Sequence, residues 1–178
     1  MNKIVKLALI LFAFSAIMAA CLGGINMLTA DRIAAINAEK LASAMEQVLP
    51  ADSYNEVEYK GNDTRIQNVY KAGTAGHTVK VAIGGSQGTI EMIVGVDTNG
   101  AVSGISIVSH AETPGLGAVA AQANDKGQAF RDQFVGQTGT VAVTKYGGQI
   151  EALSGATVSS RAICAAATAA LEAVKSVG

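Results

Sequence analysis

An uncharged, apolar run near the amino terminus constrains this chain more than any other feature. From Leu7 to Ile25 no residue is charged, and most are Leu, Ile, Ala, Phe or Met. A helix rises about 1.5 Å per residue, so this run is about 30 Å long and can cross the hydrocarbon core of a bilayer. Lys3 and Lys6 precede the run, and Asp31 is the first charge after it. Because positive charges favour the cytoplasmic side, we expect residues 1–28 to form a retained, single-pass membrane anchor, with the amino terminus in the cytoplasm and the remainder outside.

Two other fates of this segment remain open from the sequence. A cleaved signal peptide also begins with basic residues, although its apolar part usually covers only about 7–15 residues. The sequence Met18-Ala19-Ala20-Cys21 resembles a lipoprotein cleavage box in which Cys21 would be lipidated, although the apolar run continues beyond it. The intact mass of the purified protein distinguishes the retained anchor from both alternatives, because each alternative removes the start of the chain.

The composition excludes several classes of function. The 178 residues allow one domain of ordinary size besides the anchor. With 13 basic and 14 acidic residues the net charge is −1, which gives no electrostatic basis for binding nucleic acid. The two cysteines, Cys21 and Cys164, are not expected to form a disulfide. They form no cluster with His77 and His110, so we expect no metal ligated by the protein.

The rest of the sequence predicts an α+β domain over residues 51–178 with a mostly antiparallel sheet flanked by helices. An amphipathic helix over residues 29–49, which can continue from the membrane span, connects the anchor to this domain within residues 29–50 and ends at Pro50. Residues 51–63 are expected to form a loop or an irregular first strand. Runs rich in β-branched residues predict further strands at Val69–Ala72, His77–Ile83, Thr89–Asp97, Ala101–Val108 and Thr140–Lys145.

Turns and helices complete this pattern. Asn99-Gly100 is a strong hairpin signal between two of the predicted strands. The glycine-rich stretch Gly84–Gly88 lacks the Lys-Ser/Thr ending of a phosphate loop, so a hairpin turn is expected there. A short helix is predicted over Gly127–Phe134, and a longer one over Ala162–Val177.

A small, hydroxyl-rich segment, Glu151–Ser160, directly precedes the last predicted helix. The first N–H groups of a helix lack intrahelical partners and that end is positive, so the segment can attract a phosphate. An ordinary Ser or Thr cap would occupy the same position. The segment contains no Lys, His or paired base, so the Thr157 hydroxyl is not expected to react unaided.

Three motifs carry a resemblance to a known family. Ser154-Gly155-Ala156-Thr157-Val158-Ser159 resembles the flavinylation motif of the covalent FMN-binding domain. This domain occurs in the G subunit of the Rnf ion-translocating oxidoreductase complex and in the C subunit of the sodium-pumping NADH:quinone reductase. Glu112-Thr113-Pro114-Gly115-Leu116-Gly117 matches a second family signature, and Phe130–Gly136 is a weaker third one. The motifs lie in the family's order, and the short chain favours the Rnf G subunit.

The resemblance implies a cofactor site around Thr157, whose hydroxyl would be esterified to the phosphate of FMN. The Ser154, Ser159 and Ser160 hydroxyls would donate hydrogen bonds to that phosphate, and Glu112 and Thr113 would line the flavin. The implied cofactor-binding residues are Leu153, Ser154, Gly155, Ala156, Thr157, Ser159 and Ser160 in the first motif and Glu112, Thr113, Gly115 and Leu116 in the second.

Plainer interpretations of several of these residues stay open. The second motif can be a structural turn with a solvated Glu112, and Leu153 can belong to the core. The adjacent His110 can donate to a flavin edge or be exposed. Glu151 stands where the family commonly has Asp, which bears on recognition by the enzyme that attaches the flavin.

The resemblance also implies a function. The chain would be an electron-carrier subunit of a translocase in the bacterial cell (inner) membrane that couples ferredoxin:NAD⁺ electron transfer to ion translocation, with no turnover of its own. Its partners would be the other Rnf subunits and a magnesium-dependent flavin transferase that uses FAD as the donor. Two alternatives remain: an exported flavoprotein that passes electrons to an extracellular reductase, and an anchored module that holds a phosphorylated ligand non-covalently.

Overall fold

A computed structural model describes residues 3–177, which form two compact units, one ending at Lys40 and the other beginning at Leu41. The first helix, α1, covers Lys3–Val48 without interruption and contributes to both units. The predicted helix over residues 29–49 is therefore the continuation of the apolar helix. It ends at Val48, shortly before Pro50.

The first unit consists of α1 up to Lys40. Within residues 3–177, α1 is the one helix that is long and apolar enough to cross a membrane. Large apolar side chains are exposed along it, including Leu7, Leu11, Phe12 and Ile17. Such a surface is unfavourable in water, so its composition suits a lipid environment.

The second unit is built on a five-stranded antiparallel sheet in which each strand pairs with the next along the chain. The strands are β1 Tyr54–Val57, β2 Ile66–Ala72, β3 Gly76–Gly84, β4 Thr89–Asp97 and β5 Val102–Ser109. The short β1 lies in the segment expected to be a loop or an irregular strand, and the next four strands confirm the predicted ones. The α+β class with an antiparallel sheet and flanking helices is confirmed.

Alternation along the strands separates two apolar layers. On β4, Ile90, Met92, Val94 and Val96 belong to the layer that contains the last helix, α3, Thr157–Val177. Phe130 of the short helix α2, Asp125–Asp132, packs edge to face against Phe134 in this layer, with 5.4 Å between ring centroids. Ile93 belongs to the opposite layer with the end of α1, where the members are Ala44, Met45, Val48, Leu49 and Ala72.

A pair of glycines lets the end of α1 approach the sheet closely. Gly95 on β4 and Gly104 on β5 are cross-strand partners. A Cβ at Gly95 would lie 2.8 Å from the Val48 carbonyl oxygen, and one at Gly104 would lie 3.3 Å from the same atom. The Ser103 hydroxyl donates a hydrogen bond to this carbonyl over 2.7 Å. The glycines thus leave room for the end of the helix. Ser103 donates to a carbonyl for which the helix itself offers no N–H donor.

The strand predicted at Thr140–Lys145 was wrong. This segment forms one isolated parallel bridge, Val143 with Ile150, and then a 3₁₀ turn over Thr144–Tyr146. The Val141 N–H donates to the Thr168 hydroxyl of α3 over 2.9 Å instead of joining the sheet. Val141 and Val143 are buried, so their apolar character reflects core packing and not strand pairing.

Candidate functional site

Thr157 is the first residue of α3, which begins earlier than the predicted start at Ala162. Gly155, with φ of 73°, turns the chain into the helix, and the Ser160 N–H donates to the Ala156 carbonyl over 2.9 Å as the first bond of the helical type. The N–H groups of Thr157, Val158 and Ser159 have no hydrogen-bond acceptor among residues 3–177. Three free donors at the positive end of a helix suit a phosphate group.

A cleft of about 300 Å³ opens beside this helix end and brings the two main sequence motifs together. Its lining residues come from three segments: Ser86 and Gln87; Glu112, Thr113, Leu116 and Gly117; and Gly155, Ala156, Thr157, Val158 and Ser159. The β3–β4 turn that contributes Ser86 and Gln87 was predicted only as a hairpin turn. Its glycines fit many ordinary turns, so no sequence signal placed it at the site.

Glu112 is buried in the side of this cleft, with 6% of its surface exposed. The Ser159 hydroxyl donates to Oε2 of Glu112. The backbone N–H groups of Ser86 and Gln87 donate to Oε1 over 2.7 Å and 3.3 Å. Burial opposes ionisation of this carboxyl, but the three hydrogen bonds outweigh it and hold the pKa of Glu112 below its ordinary value. The solvated Glu112 that the sequence left open is therefore excluded.

Ser154, Ser159 and Ser160, the three serines around the start of α3, have different surroundings. Ser154 is exposed, and its hydroxyl has no protein partner among residues 3–177. The Ser159 hydroxyl is bound to Glu112, and the buried Ser160 Oγ accepts from the Leu153 N–H over 3.0 Å. Two of the three hydroxyls expected to donate to a phosphate are therefore bound to the protein, Ser159 as a donor and Ser160 as an acceptor. The Ser154 hydroxyl remains free beside the backbone N–H groups at the helix start.

Of the remaining predicted residues, Thr113 and Leu116 line the cleft, whereas Gly115 and Leu153 lie outside it. Leu116 is 42% exposed, and its Cδ2 lies 2.9 Å from the position of a Cβ at Gly155, so the two motifs are in direct contact. Gly115, with φ of 77°, shapes the loop before it. The Thr113 carbonyl accepts from the Leu116 and Ala118 N–H groups over 3.2 Å each. Leu153 is partly buried and packs against the core.

Val158 is a lining residue that sequence reasoning missed. It is 49% exposed and stands next to Thr157 in the first turn of α3. The sequence signal that could have found it is an apolar residue placed between two hydroxyl residues, Thr157 and Ser159. With Leu116, it gives the mouth of the cleft an apolar rim.

The third motif lies outside the cleft and supports it. Phe130 is a core residue, and the buried Arg131 donates from Nη1 to the carbonyls of Ala120 and Gln122 over 2.6 Å and 2.9 Å. These carbonyls belong to the 3₁₀ segment Gly117–Ala121 and the residue after it. Arg131 therefore fixes the chain that continues from the second motif.

The other reactive side chains that the sequence singled out do not line the cleft. His110 is exposed, and its Nδ1 accepts from the Glu112 N–H over 3.3 Å. Burial raises the pKa of the Cys164 thiol to about 12, which leaves it protonated at neutral pH. Neither group is placed to react at Thr157.

Comparisons with known proteins agree with the motifs. Residues 85–172 match the family model described as the FMN-binding domain, and residues 1–48 match the one described as the RnfG N-terminal region. The chain is 33% identical over 172 residues to the G subunit of the ion-translocating oxidoreductase complex of Methanosarcina acetivorans, a match covering 91% of this chain and 89% of that relative. It is 32% identical over 179 residues to the G subunit of the Na(+)-translocating ferredoxin:NAD(+) oxidoreductase complex of Acetobacterium woodii, covering 89% and 85% of the two chains. The G subunit from Aliivibrio fischeri is also 32% identical, covering 89% and 84%. The chain therefore belongs to the family of G subunits of ion-translocating oxidoreductase complexes.

Proposed function

We propose that this protein carries FMN as a phosphoester on the Thr157 hydroxyl and serves as an electron carrier in a membrane-bound, ion-translocating oxidoreductase. One observation carries the proposal. Thr157 stands at a helix start whose first three N–H groups lack acceptors among residues 3–177, inside a cleft formed by both family motifs. The match to the FMN-binding domain over residues 85–172 supports the identity of the cofactor.

The residues present fit a flavin phosphate. The N–H groups of Thr157, Val158 and Ser159 would hold the phosphate oxygens, and the exposed Ser154 hydroxyl can add a further donor. The apolar rim formed by Leu116 and Val158 suits the aromatic ring system. When bound, FMN supplies reversible uptake and release of electrons. The covalent link would prevent loss of the cofactor outside the cytoplasm, where no flavin pool is at hand.

Attachment is proposed to require a separate flavin transferase that uses FAD as the donor. Among the described residues that line the cleft, none is a histidine or lysine. The Glu112 carboxylate accepts three hydrogen bonds and so is a weak base. The described residues of the cleft thus offer no group that would activate the Thr157 hydroxyl.

The relatives support a place in a larger assembly. The relative from Acetobacterium woodii is named as part of a Na(+)-translocating ferredoxin:NAD(+) oxidoreductase complex, and others as parts of ion-translocating oxidoreductase complexes. We propose the same setting here, with ferredoxin:NAD⁺ electron transfer coupled to ion movement and the other Rnf subunits as partners. In this proposal the apolar part of α1 forms a single membrane span, and the cofactor domain lies on the extracytoplasmic side.

Substitution of Thr157 tests the covalent link. The wild-type protein, expressed with a flavin transferase, should give a band on a denaturing gel that fluoresces under ultraviolet light. Thr157→Val removes the hydroxyl and should abolish the band, whereas Thr157→Ser keeps a hydroxyl and should retain part of the loading. Mass spectrometry of the peptide that contains Thr157 should locate the added FMN.

Thr98→Val is the matched control, because Thr98 is exposed in the β4–β5 turn and outside the cleft. It should load as the wild type does. A dark wild-type band, or a bright band in Thr157→Val, would contradict the proposal.

A further inference from the structure

Glu112 is a buried, ionised carboxylate for which flavin attachment and electron transfer provide no direct role. It connects its own loop to two segments that are distant in sequence, because its carboxylate oxygens accept hydrogen bonds from Ser86, Gln87 and Ser159. These donors belong to the β3–β4 turn and to the first turn of α3. A charge this well enclosed is retained only where hydrogen bonds replace its lost hydration.

The neighbouring glycines show that the enclosure is built around the carboxylate. A Cβ at Gly117 would lie 2.5 Å from Oε2 of Glu112 and 2.6 Å from the Ser159 hydroxyl. A Cβ at Gly85 would overlap Oε1 of Glu112. Side chains at either position would therefore displace the carboxylate from its donors.

We propose that Glu112 is a positioning residue that holds the β3–β4 turn, residues 84–88, against the start of α3, so that this turn forms a third side of the cofactor cleft. The inference rests on the proposed function, in which Thr157 carries FMN. It goes beyond the two family motifs, because it gives the turn a place at the cofactor and gives Glu112 an indirect role.

The geometry of the turn supports this role. Ser86 and Gln87 bind the carboxylate through their backbone N–H groups, while their exposed side chains line the cleft. Within the turn itself, the Gly85 N–H donates to the Gly88 carbonyl over 2.7 Å. Among residues 3–177, the hydrogen bonds through Glu112 are the ones that connect the turn to α3. Without them, the turn would move away from the cofactor more often.

The bond to Ser159 also has a consequence for the phosphate. The Ser159 hydroxyl donates its proton to Glu112, so it has none left to donate to an anion at Thr157. Its backbone N–H remains available. Glu112 thereby fixes which donors at the helix start face the cleft.

Two variants of the full-length, flavin-loaded protein test the inference. Glu112→Gln keeps the size of the side chain but removes its charge, and Ser159→Ala removes one donor from the carboxylate. In Glu112→Gln, amide exchange at Ser86 and Gln87 should accelerate about tenfold, because their hydrogen bonds to a charged group are weakened or lost. In time-resolved fluorescence anisotropy, the freely rotating fraction of the flavin should increase about twofold in both variants as the cleft opens.

Asp97→Asn is the matched control. Asp97 Oδ1 accepts from the Asn99 and Ala101 N–H groups over 2.9 Å each, so it supports the β4–β5 turn as Glu112 supports the β3–β4 turn. This variant should accelerate exchange at residues 98–101 and leave the flavin anisotropy unchanged. A change in anisotropy equal to that of Glu112→Gln would mean that any weakened turn has this effect, and would overturn the inference.

Flavin anisotropy equal to the wild type in folded Glu112→Gln and Ser159→Ala would also overturn the inference. If Glu112→Gln does not fold, the result with Ser159→Ala decides. That variant should fold, because alanine is a strong helix former and two hydrogen-bond donors to the carboxylate remain. A wild-type chain that takes up no flavin would contradict the proposed function instead. The exchange rates at Ser86 and Gln87 would then still decide whether Glu112 holds the turn.

Discussion

At Ser159 and Ser160, adjacent hydroxyls of one motif have different partners, because each residue of a helix is rotated by about 100° from the one before it. The Ser159 hydroxyl is directed to Glu112, whereas Ser160 faces the core and accepts from Leu153. Thr157, two residues earlier, remains at the cleft. The helix start therefore separates Thr157, which is proposed to carry the flavin, from two serines whose hydroxyls bind the protein.

Glu112 should make the stability of the protein depend on pH. Its pKa is lower in the folded protein than the ordinary value of 4.5, because the hydrogen bonds from Ser159, Ser86 and Gln87 outweigh the effect of burial. The folded state thus binds this proton less readily than the unfolded chain. The stabilisation is fully present above the unfolded pKa and is lost as the pH falls through the folded pKa.

Comparison of the wild type with Glu112→Gln tests this dependence. Near neutral pH the wild type should be more stable by about 1–3 kcal/mol, because its hydrogen bonds are assisted by charge. At about pH 3 the difference should shrink as the wild-type carboxyl becomes protonated. Denaturant unfolding of both proteins in detergent measures the free energies. A difference that stays constant over this range would show that charge has no part in the effect.

Among the secondary-structure elements, the end of α1 and the strands β4 and β5 form an unusually close contact. Gly95 and Gly104 have no side chains, so Val48 packs directly on the backbone of the sheet at this point. The Ser103 hydroxyl donates to the Val48 carbonyl. Val48 and Met45 are buried in the layer behind this contact. The last turns of α1 therefore belong to the packed domain as well as to the long helix.

Gly95→Ala should disrupt this contact. The added Cβ would overlap the Ser103 hydroxyl and lie 2.8 Å from the Val48 carbonyl oxygen, so the hydroxyl and the helix end must both shift. We expect a loss of about 1–3 kcal/mol in the free energy of unfolding. Gly84→Ala is the control, because a Cβ at Gly84 has no atom within 4 Å. It should change the stability by less than about 0.5 kcal/mol. Equal effects in the two variants would contradict the close docking of Val48.

For the whole molecule, the proposed topology places opposite ends of α1 on opposite sides of a membrane. Single cysteines introduced into a Cys21→Ser background test it, because the remaining Cys164 is buried. In spheroplasts, an impermeant maleimide should label Asn99→Cys, whose position is an exposed turn of the cofactor domain. Asn2→Cys, which precedes the apolar run and keeps both Lys3 and Lys6, should be labelled only after lysis. Labelling of Asn2→Cys in intact spheroplasts would contradict the proposed orientation.

Local patterns in the sequence were sufficient for much of this protein. The uncharged run determined a membrane-compatible helix, since the length and apolarity of one continuous segment decide this property. Alternation on β4 and the Asn-Gly turn determined the hairpin between β4 and β5. The family motifs singled out Thr157 as the proposed attachment site, and its place at a helix start followed from the apolar spacing after it.

Only the tertiary structure decided how distant segments meet. The runs at Thr89–Asp97 and Thr140–Lys145 both suit a strand, but the second lies against α3, where the Thr168 hydroxyl accepts from its Val141 N–H. Glu112 could have been solvated, and its burial depends on Ser86 and Ser159, which are remote in sequence. Such contacts leave no local periodicity, since they arise from the folded positions of whole elements and not from the order of neighbouring residues.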